Sequence, residues 1–337
     1  MKKYLALFLL FISFPVFGQE LKEATNSFFD ESEVKEYSLK GIMVEGEVAE
    51  PGMVEFASLP VRNVPVKELA LINGKEKFIG SYYYSGYSLF DIISGKKFKK
   101  ANEADFRPAV DLFVVVENAK GEKAVFSWGE IYYGKDNFQF LISKSVNAIN
   151  PSKLKMKWPL PAEPRLVAAR DAYNVRFISN PVRITIKSFP GTFTAIDSKE
   201  IFASSVTITF GEKKEVIPEI PSSSEKRTYK NIGYGHGMGW KGVKDVTGFT
   251  AKDVIGSKFN FSNEELASSI VCVSAKDGYR AAYSLSEIMN RSDNEDFLFV
   301  DRSDSKEDGK YTFYATPDFF VDRNIRAAER IQILQIN

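Results

Sequence analysis

The chain has 337 residues, with 45 basic and 44 acidic side chains, one Cys and one His. A single Cys excludes an internal disulfide framework, and one Cys with one His excludes a Cys/His zinc site within one chain. The near balance of charge leaves no nucleic-acid footprint, while 44% hydrophobic and 14% aromatic residues suit a packed globular protein of about two domains.

Residues 1–18 read as a signal peptide of the Sec type. Lys2 and Lys3 form the basic n-region, Tyr4 to Phe17 the apolar run, and Gly18 a small residue before a cleavage site at Gln19. No Cys follows for a lipid anchor, and no Arg-Arg pair precedes the apolar run. No other stretch is long and apolar enough to be a transmembrane segment, so the expectation is a periplasmic or secreted protein. Residues 19–39 are polar and acidic around Phe28 and Phe29 and read as a leader segment or a short helix. From Gly41 the chain alternates as a strand, and Glu50-Pro51-Gly52 marks a turn.

Two parts of the chain then resemble each other. SGYSLFDIISGKKF (Ser85 to Phe98) matches TGFTAKDVIGSKF (Thr247 to Phe259). Ser88 and Thr250 are placed to cap short helices, with Asp91 and Asp253 at the third helical position, and Gly95 and Gly256 to end them in a left-handed turn. DLFVVVENAKGEKAVFSWGEI (Asp111 to Ile131) matches SSIVCVSAKDGYRAAYSLSEI (Ser268 to Ile288). Each predicts a hairpin turning at Gly121 or Gly278, then a capped helix with Ser127 and Glu130 or Ser284 and Glu287 as a capping box. VRFISNPVRITI (Val175 to Ile186) matches VDRNIRAAERIQI (Val321 to Ile333), where Arg183 and Arg330 each precede an alternating strand. Three matches in the same order predict two tandem domains, 40–187 and 188–337. Strands mixed with short helices predict the α+β class with mixed sheets.

Each unit resembles the molybdopterin-binding domain of the sulfite oxidase family. The resemblance rests on GIMVEGEVAEPGMVEFASLPVRNV (Gly41 to Val64), YSGYSLFDII (Tyr84 to Ile93), SAKDGYRAAYSLSEI (Ser274 to Ile288) and ERIQIL (Glu329 to Leu334). It implies two sulfite-oxidase-like domains and molybdopterin as cofactor. The family's molybdenum-ligating Cys precedes the aromatic-Gly helix. The equivalent stretches here, KELALINGKEKF (Lys67 to Phe78) and KRTYKNIGYGHG (Lys226 to Gly237), contain no Cys. Cys272 lies in a later strand, where alternation makes it a packed apolar side chain. The resemblance therefore implies a fold more than a molybdenum activity, and a Sec-type leader agrees with an unloaded chain.

The stretch NIGYGHGMGWKG (Asn231 to Gly242) is the most unusual, with five glycines around the lone His. Glycine allows close backbone approach to a ligand, His236 and Met238 are potential ligands, and Trp240 offers a stacking face. Tyr234, Gly235, His236, Gly237, Met238 and Trp240 are thus the candidate cofactor- or ligand-binding residues, a surface-packed irregular loop being the alternative. No metal site is expected there. In the first unit Tyr82, Tyr83, Tyr84 and Tyr87 form a candidate partner-binding patch, with Tyr82 and Tyr84 on one face, or else cross-strand aromatic packing.

The leading expectation is an exported binding protein that holds a small-molecule ligand or an envelope protein. The alternatives are a divergent periplasmic oxidoreductase with a pterin-type or other redox cofactor, and a scaffold in a surface complex. Catalytic residues are not identifiable from the sequence.

Overall fold

The computed structural model describes residues 33–151, 156–193, 202–305 and 309–337. The expected signal peptide, 1–18, and residues 19–32 of the leader lie outside the described residues.

The first half runs β1 (Lys35–Glu36), β2 (Gly41–Gly46), β3 (Gly52–Glu55), β4 (Arg62–Ile72), β5 (Lys75–Ser88), α1 (Leu89–Ser94), β6 (Leu112–Asn118), β7 (Lys123–Ser127), α2 (Trp128–Tyr132), β8 (Phe140–Ala148), β9 (Leu166–Ala168) and β10 (Pro181–Ser188). The second runs β11 (Val206–Phe210), β12 (Lys213–Ile217), β13 (Lys226–Gly235), β14 (Gly239–Thr250), α3 (Ala251–Gly256), α4 (Asn263–Ser268), β15 (Ser269–Ala275), β16 (Arg280–Ser284), α5 (Leu285–Met289), β17 (Leu298–Asp301), β18 (Tyr311–Tyr314) and β19 (Ala328–Gln335).

These strands make four sheets. Two have the same strand order, β3-β2-β10-β6-β7 and β12-β11-β19-β15-β16. β10 lies parallel to β2 and antiparallel to β6, and β19 likewise parallel to β11 and antiparallel to β15. The other two sheets also correspond: β4-β5-β8 with β9 on β8, and β13-β14-β17-β18; β1 adds only to the first of them. Apart from β1, the strands of the two halves therefore correspond one to one, while α4 of the second half has no α-helical counterpart among the described residues of the first.

The α+β class and the sulfite oxidase fold are corrected by this architecture. Among the described residues strands hold 48% and helices 14%, and the four small sheets form a four-bladed β-propeller arrangement rather than tandem α+β domains. The helices are real but of only five or six residues. A Ser or Thr cap with an acidic residue three positions on reports where a helix starts, not how far it runs. The glycine-rich stretch before α3 that read as a loop is instead part of two strands, β13 and β14, of 10 and 12 residues. Where the leader is described it is not helical: β1 pairs antiparallel with β8.

Local signals agree in detail. Ser88 and Thr250 accept from the N–H of Asp91 and Asp253, and Ser127–Glu130 and Ser284–Glu287 are complete capping boxes. Gly121 and Gly278 turn their hairpins at φ of 84° and 82°. Gly95 and Gly256 do not adopt a left-handed turn; Gly95 has φ of −80° and Gly256 is the last helical residue.

One core fills the first half around Val44, Ile93, Phe126 and Ile184; another fills the second around Phe249, Tyr283, Phe299 and Ile331. Phe113, Val125, Phe189, Ile270, Cys272 and Ala282 pack between them. The halves are further joined by buried ions. Arg176 is bound by Asp171 and Glu130 and donates to Ser284 Oγ of the second half at 3.1 Å. Arg323, bound by Asp318 and Glu287, donates reciprocally to Ser127 Oγ at 2.9 Å. Asp111, fully buried, receives Lys100 of its own half and Arg280 of the other. Charges so deprived of water persist only when paired and hydrogen-bonded.

Candidate functional site

The glycine-rich stretch is a β-ribbon. β13 pairs with β14 from Lys226–Phe249 out to Gly235–Gly239, and His236, Gly237 and Met238 form the turn. Gly239 closes it in the left-handed region, at φ of 69°, which is open to glycine without strain. Period-two alternation then splits the candidate residues between two faces. Ile232, Tyr234 and His236 point outward with Trp240 and Val243, while Asn231, Gly233 and Gly235 are buried on the inner side. Tyr234 rests against Phe319 and Phe320, with ring centroids 5.9 and 6.0 Å away. His236 stands edge-on to Phe320 at 5.5 Å, and its backbone N–H donates to Asp322 Oδ2 at 2.9 Å.

Along the inner side runs a cleft of about 620 Å³, lined from the ribbon by Asn231, Gly233, Lys241, Gly242 and Lys244. Across from the ribbon stand Tyr279, Arg302, Thr312, Tyr314, Asp322 and Arg326. None of Tyr234, Gly235, His236, Gly237, Met238 or Trp240 lines this cleft. The stretch thus supplies cleft residues, but not those singled out in the sequence. The residues missed were Lys244, Tyr279, Arg302 and Tyr314, which lie far apart in the chain.

The cleft has hydrogen-bonded walls and long cationic side chains. Tyr314 donates to Asn231 Oδ1 at 2.9 Å, and Tyr279 donates to the Asp322 carbonyl at 2.5 Å. Asn324 accepts from the Ala315 N–H at 2.7 Å. Burial raises both phenols, Tyr279 to about 12 with Asp322 and Asp277 adding to the effect, so both remain protonated donors. Lys244 Nζ sits 5.9 Å from the Tyr314 ring centroid. Among the described residues, Lys241, Lys244 and Arg302 make no salt bridge with a carboxylate. Four cationic side chains against Asp277 and Asp322 give the cleft a positive balance.

The same place in the first half is filled. Lys244 and Val246 stand before Gly248 as Tyr82 and Tyr84 stand before Gly86. Tyr82 and Tyr84 are buried, and Tyr84 donates to Glu68 Oε2 at 3.3 Å. Glu68 also receives Arg165 Nη1 at 3.0 Å and Asn174 Nδ2 at 2.8 Å. Tyr82 donates to the Pro159 carbonyl, Tyr37 to that of Pro161, and Trp158 packs on the same cluster. Trp158, Pro159 and Pro161 reach this cluster from the connection between β8 and β9, which runs from 149 to 165 in sequence; the matching connection in the second half, 302–310, is much shorter. The expected tyrosine patch is therefore corrected. Tyr82, Tyr84 and Tyr87 are core residues, Tyr87 stacking on Phe56 at 4.6 Å, and Tyr83 is half-buried.

Cys272 is fully buried in β15 between the halves, and burial pushes its thiol up. It cannot present a thiolate to a molybdenum centre, so the residues of this chain do not fit the metal ligation expected from the sequence resemblance. The described residues hold no cluster of three or more His, Cys, Asp or Glu placed for a metal ion. No described helix is long and apolar enough to cross a membrane. In comparison with known proteins, no protein-family model and no curated protein matches the chain.

Proposed function

We propose that this is an exported binding protein that holds a small anionic ligand in the cleft of its second half. Export rests on the basic and apolar pattern of residues 1–18. The observation that carries the ligand site is the replacement between copies: where the first half buries Tyr82, the second sets Lys244 into an open cleft beside Arg302. A guanidinium and two ammonium groups without carboxylate partners supply donors for a carboxylate, sulfate or phosphate. The rings of Tyr279 and Tyr314 supply flat contact surface, and their fixed hydroxyls shape the wall. The first copy contributes rigidity, because its own version of the site is closed by Glu68, Arg165 and Trp158 with the Pro159 carbonyl that Tyr82 bonds.

Calorimetric titration with inorganic phosphate, citrate and glucuronate tests this reading. At least one is expected to bind with a favourable, salt-sensitive enthalpy. Arg302→Ala and Lys244→Ala should each weaken it about tenfold, the scale of one lost charge-assisted hydrogen bond. Arg165→Ala in the first half should leave the affinity as it is. Affinity unchanged by both cleft variants removes the cleft from the account.

A further inference from the structure

The ribbon of β13 and β14 carries a second feature that the cleft does not use. β14 meets the rest of its sheet only at Phe249 and Thr250, which pair with Phe299 and Leu298. From Gly248 outward it is therefore a two-stranded ribbon leaving the sheet, whereas its counterpart β5 is held to β8 from Tyr82 to Ser88. At about 3.3 Å per residue, the part from Ile232 to the turn extends roughly 15 Å.

The outward face of this ribbon changes character along its length. Near the base it presents Lys226, the hydrogen-bonded pair Thr228–Thr247, and Lys230 opposite Asp245. Towards the tip it presents Ile232 opposite Val243, then Tyr234 opposite Trp240, then Met238 in the turn. Met238 is 81% exposed, Trp240 70% and Ile232 66%. Phe319, 54% exposed and in ring contact with Tyr234, extends the same surface. Single exposed apolar residues are ordinary, but a contiguous cluster at the end of a projecting element marks a contact surface. The charges nearby are mostly basic: from Lys226 to Lys244 there are four lysines and one arginine, with Asp245 opposite Lys230.

We infer that this ribbon docks the protein on an anionic lipid bilayer. Trp240, Met238 and Ile232 would enter the interface while Lys226 and Lys230 lie at headgroup level. Trp and Tyr favour the membrane–water boundary, apolar side chains gain by leaving water there, and each nearby Lys adds attraction to anionic headgroups. Long lysine stems reach outward past an apolar tip without burying their ammonium groups. The glycines serve the same arrangement. Gly233 and Gly235 leave room for the Lys241 side chain across the inner side; a Cβ at Gly235 would stand 3.0 Å from Lys241 Cε. Asp322, holding the backbone of His236, sets the direction of the tip. The contact is peripheral and reversible.

The test uses the chain as processed by an exporting host, mixed with vesicles of phosphatidylcholine alone or containing phosphatidylglycerol. Brominated acyl chains report the depth of Trp240. The expected result is sedimentation with the anionic vesicles only, and quenching that Trp240→Phe abolishes. Met238→Ser with Trp240→Ser should weaken binding tenfold or more, and Lys226→Gln with Lys230→Gln several-fold. The thermal melt should be unchanged in both pairs, since all four side chains are exposed. Equal vesicle binding by these variants overturns the inference. So does failure to bind anionic vesicles, including the case in which the wild-type chain instead self-associates through the tip.

Discussion

Arg176 Nη1 donates to Ser284 Oγ across 3.1 Å, joining the last segment of the first half to the helix cap of the second. Ser284 accepts at the same time from the Glu287 N–H at 3.0 Å, and Arg323 with Ser127 makes the mirror arrangement. Each half therefore completes the other's buried ion pair, which makes the two copies one folding unit. Arg176→Met strands the Glu130 and Asp171 carboxylates and should cost about 3–5 kcal/mol, and Ser284→Ala about 1–2 kcal/mol. In urea unfolding, the pair of substitutions should show coupling of about 1 kcal/mol within a single transition. Strict additivity, or two separate transitions for the wild-type chain, would sink this account of the joint.

Gly129 lies in α2 directly beneath the Arg323 guanidinium. A Cβ there would stand 2.3 Å from Arg323 Nε, and Asp318 and Glu287 pin that guanidinium in place. Gly129→Ala, ordinarily favourable in a helix, should instead destabilise by about 1–3 kcal/mol through overpacking. Gly95→Ala, with open space around it and an ordinary φ of −80°, should be neutral or stabilising. Thermal denaturation of the two variants reads the contrast directly, and equal melts would contradict the packing.

Burial raises the Glu130 carboxyl to about 7 against the pull of Arg176, with Glu287 adding to the rise. Burial likewise raises Asp171 and Asp318. A carboxyl whose pKa is raised on folding holds its proton more tightly in the folded chain. Its contribution to stability is therefore greatest in mild acid, and it declines as pH rises from the usual carboxylate range through about 7. Asp91 and Asp301 are lowered and act in the opposite sense, but only in more acidic solution. Melting temperature should thus be higher at pH 5 than at pH 8, and Glu130→Gln should flatten the difference. A melting temperature that climbs across this interval contradicts the assignment.

Much of the repeat was legible in the sequence because it is written in local chemistry. Ser and Thr caps and the turns at Lys120-Gly121 and Asp277-Gly278 recur at matching places in each copy, although Arg183 and Arg330, expected before the final strands, lie within β10 and β19. The sheets were less legible. β13 has glycine at Gly233 and Gly235 where a strand usually carries β-branched residues, so a ribbon read as a loop. The cleft was hidden for another reason: Lys244, Tyr279, Arg302 and Tyr314 meet only through tertiary pairing. One signal was present, since aligning the copies on Gly86 and Gly248 sets Tyr82 against Lys244 and a long connection against a short one. A difference between copies marked the site more reliably than the unusual glycine-rich composition beside it.

Hydrogen exchange of the chain with the tightest binder among phosphate, citrate and glucuronate tests the ligand site most directly. The account predicts added protection in Asn231–Lys244 and Arg302–Tyr314, with none in Glu68–Tyr84. Protection that falls in the first half, or a bound probe that protects neither segment, would contradict it.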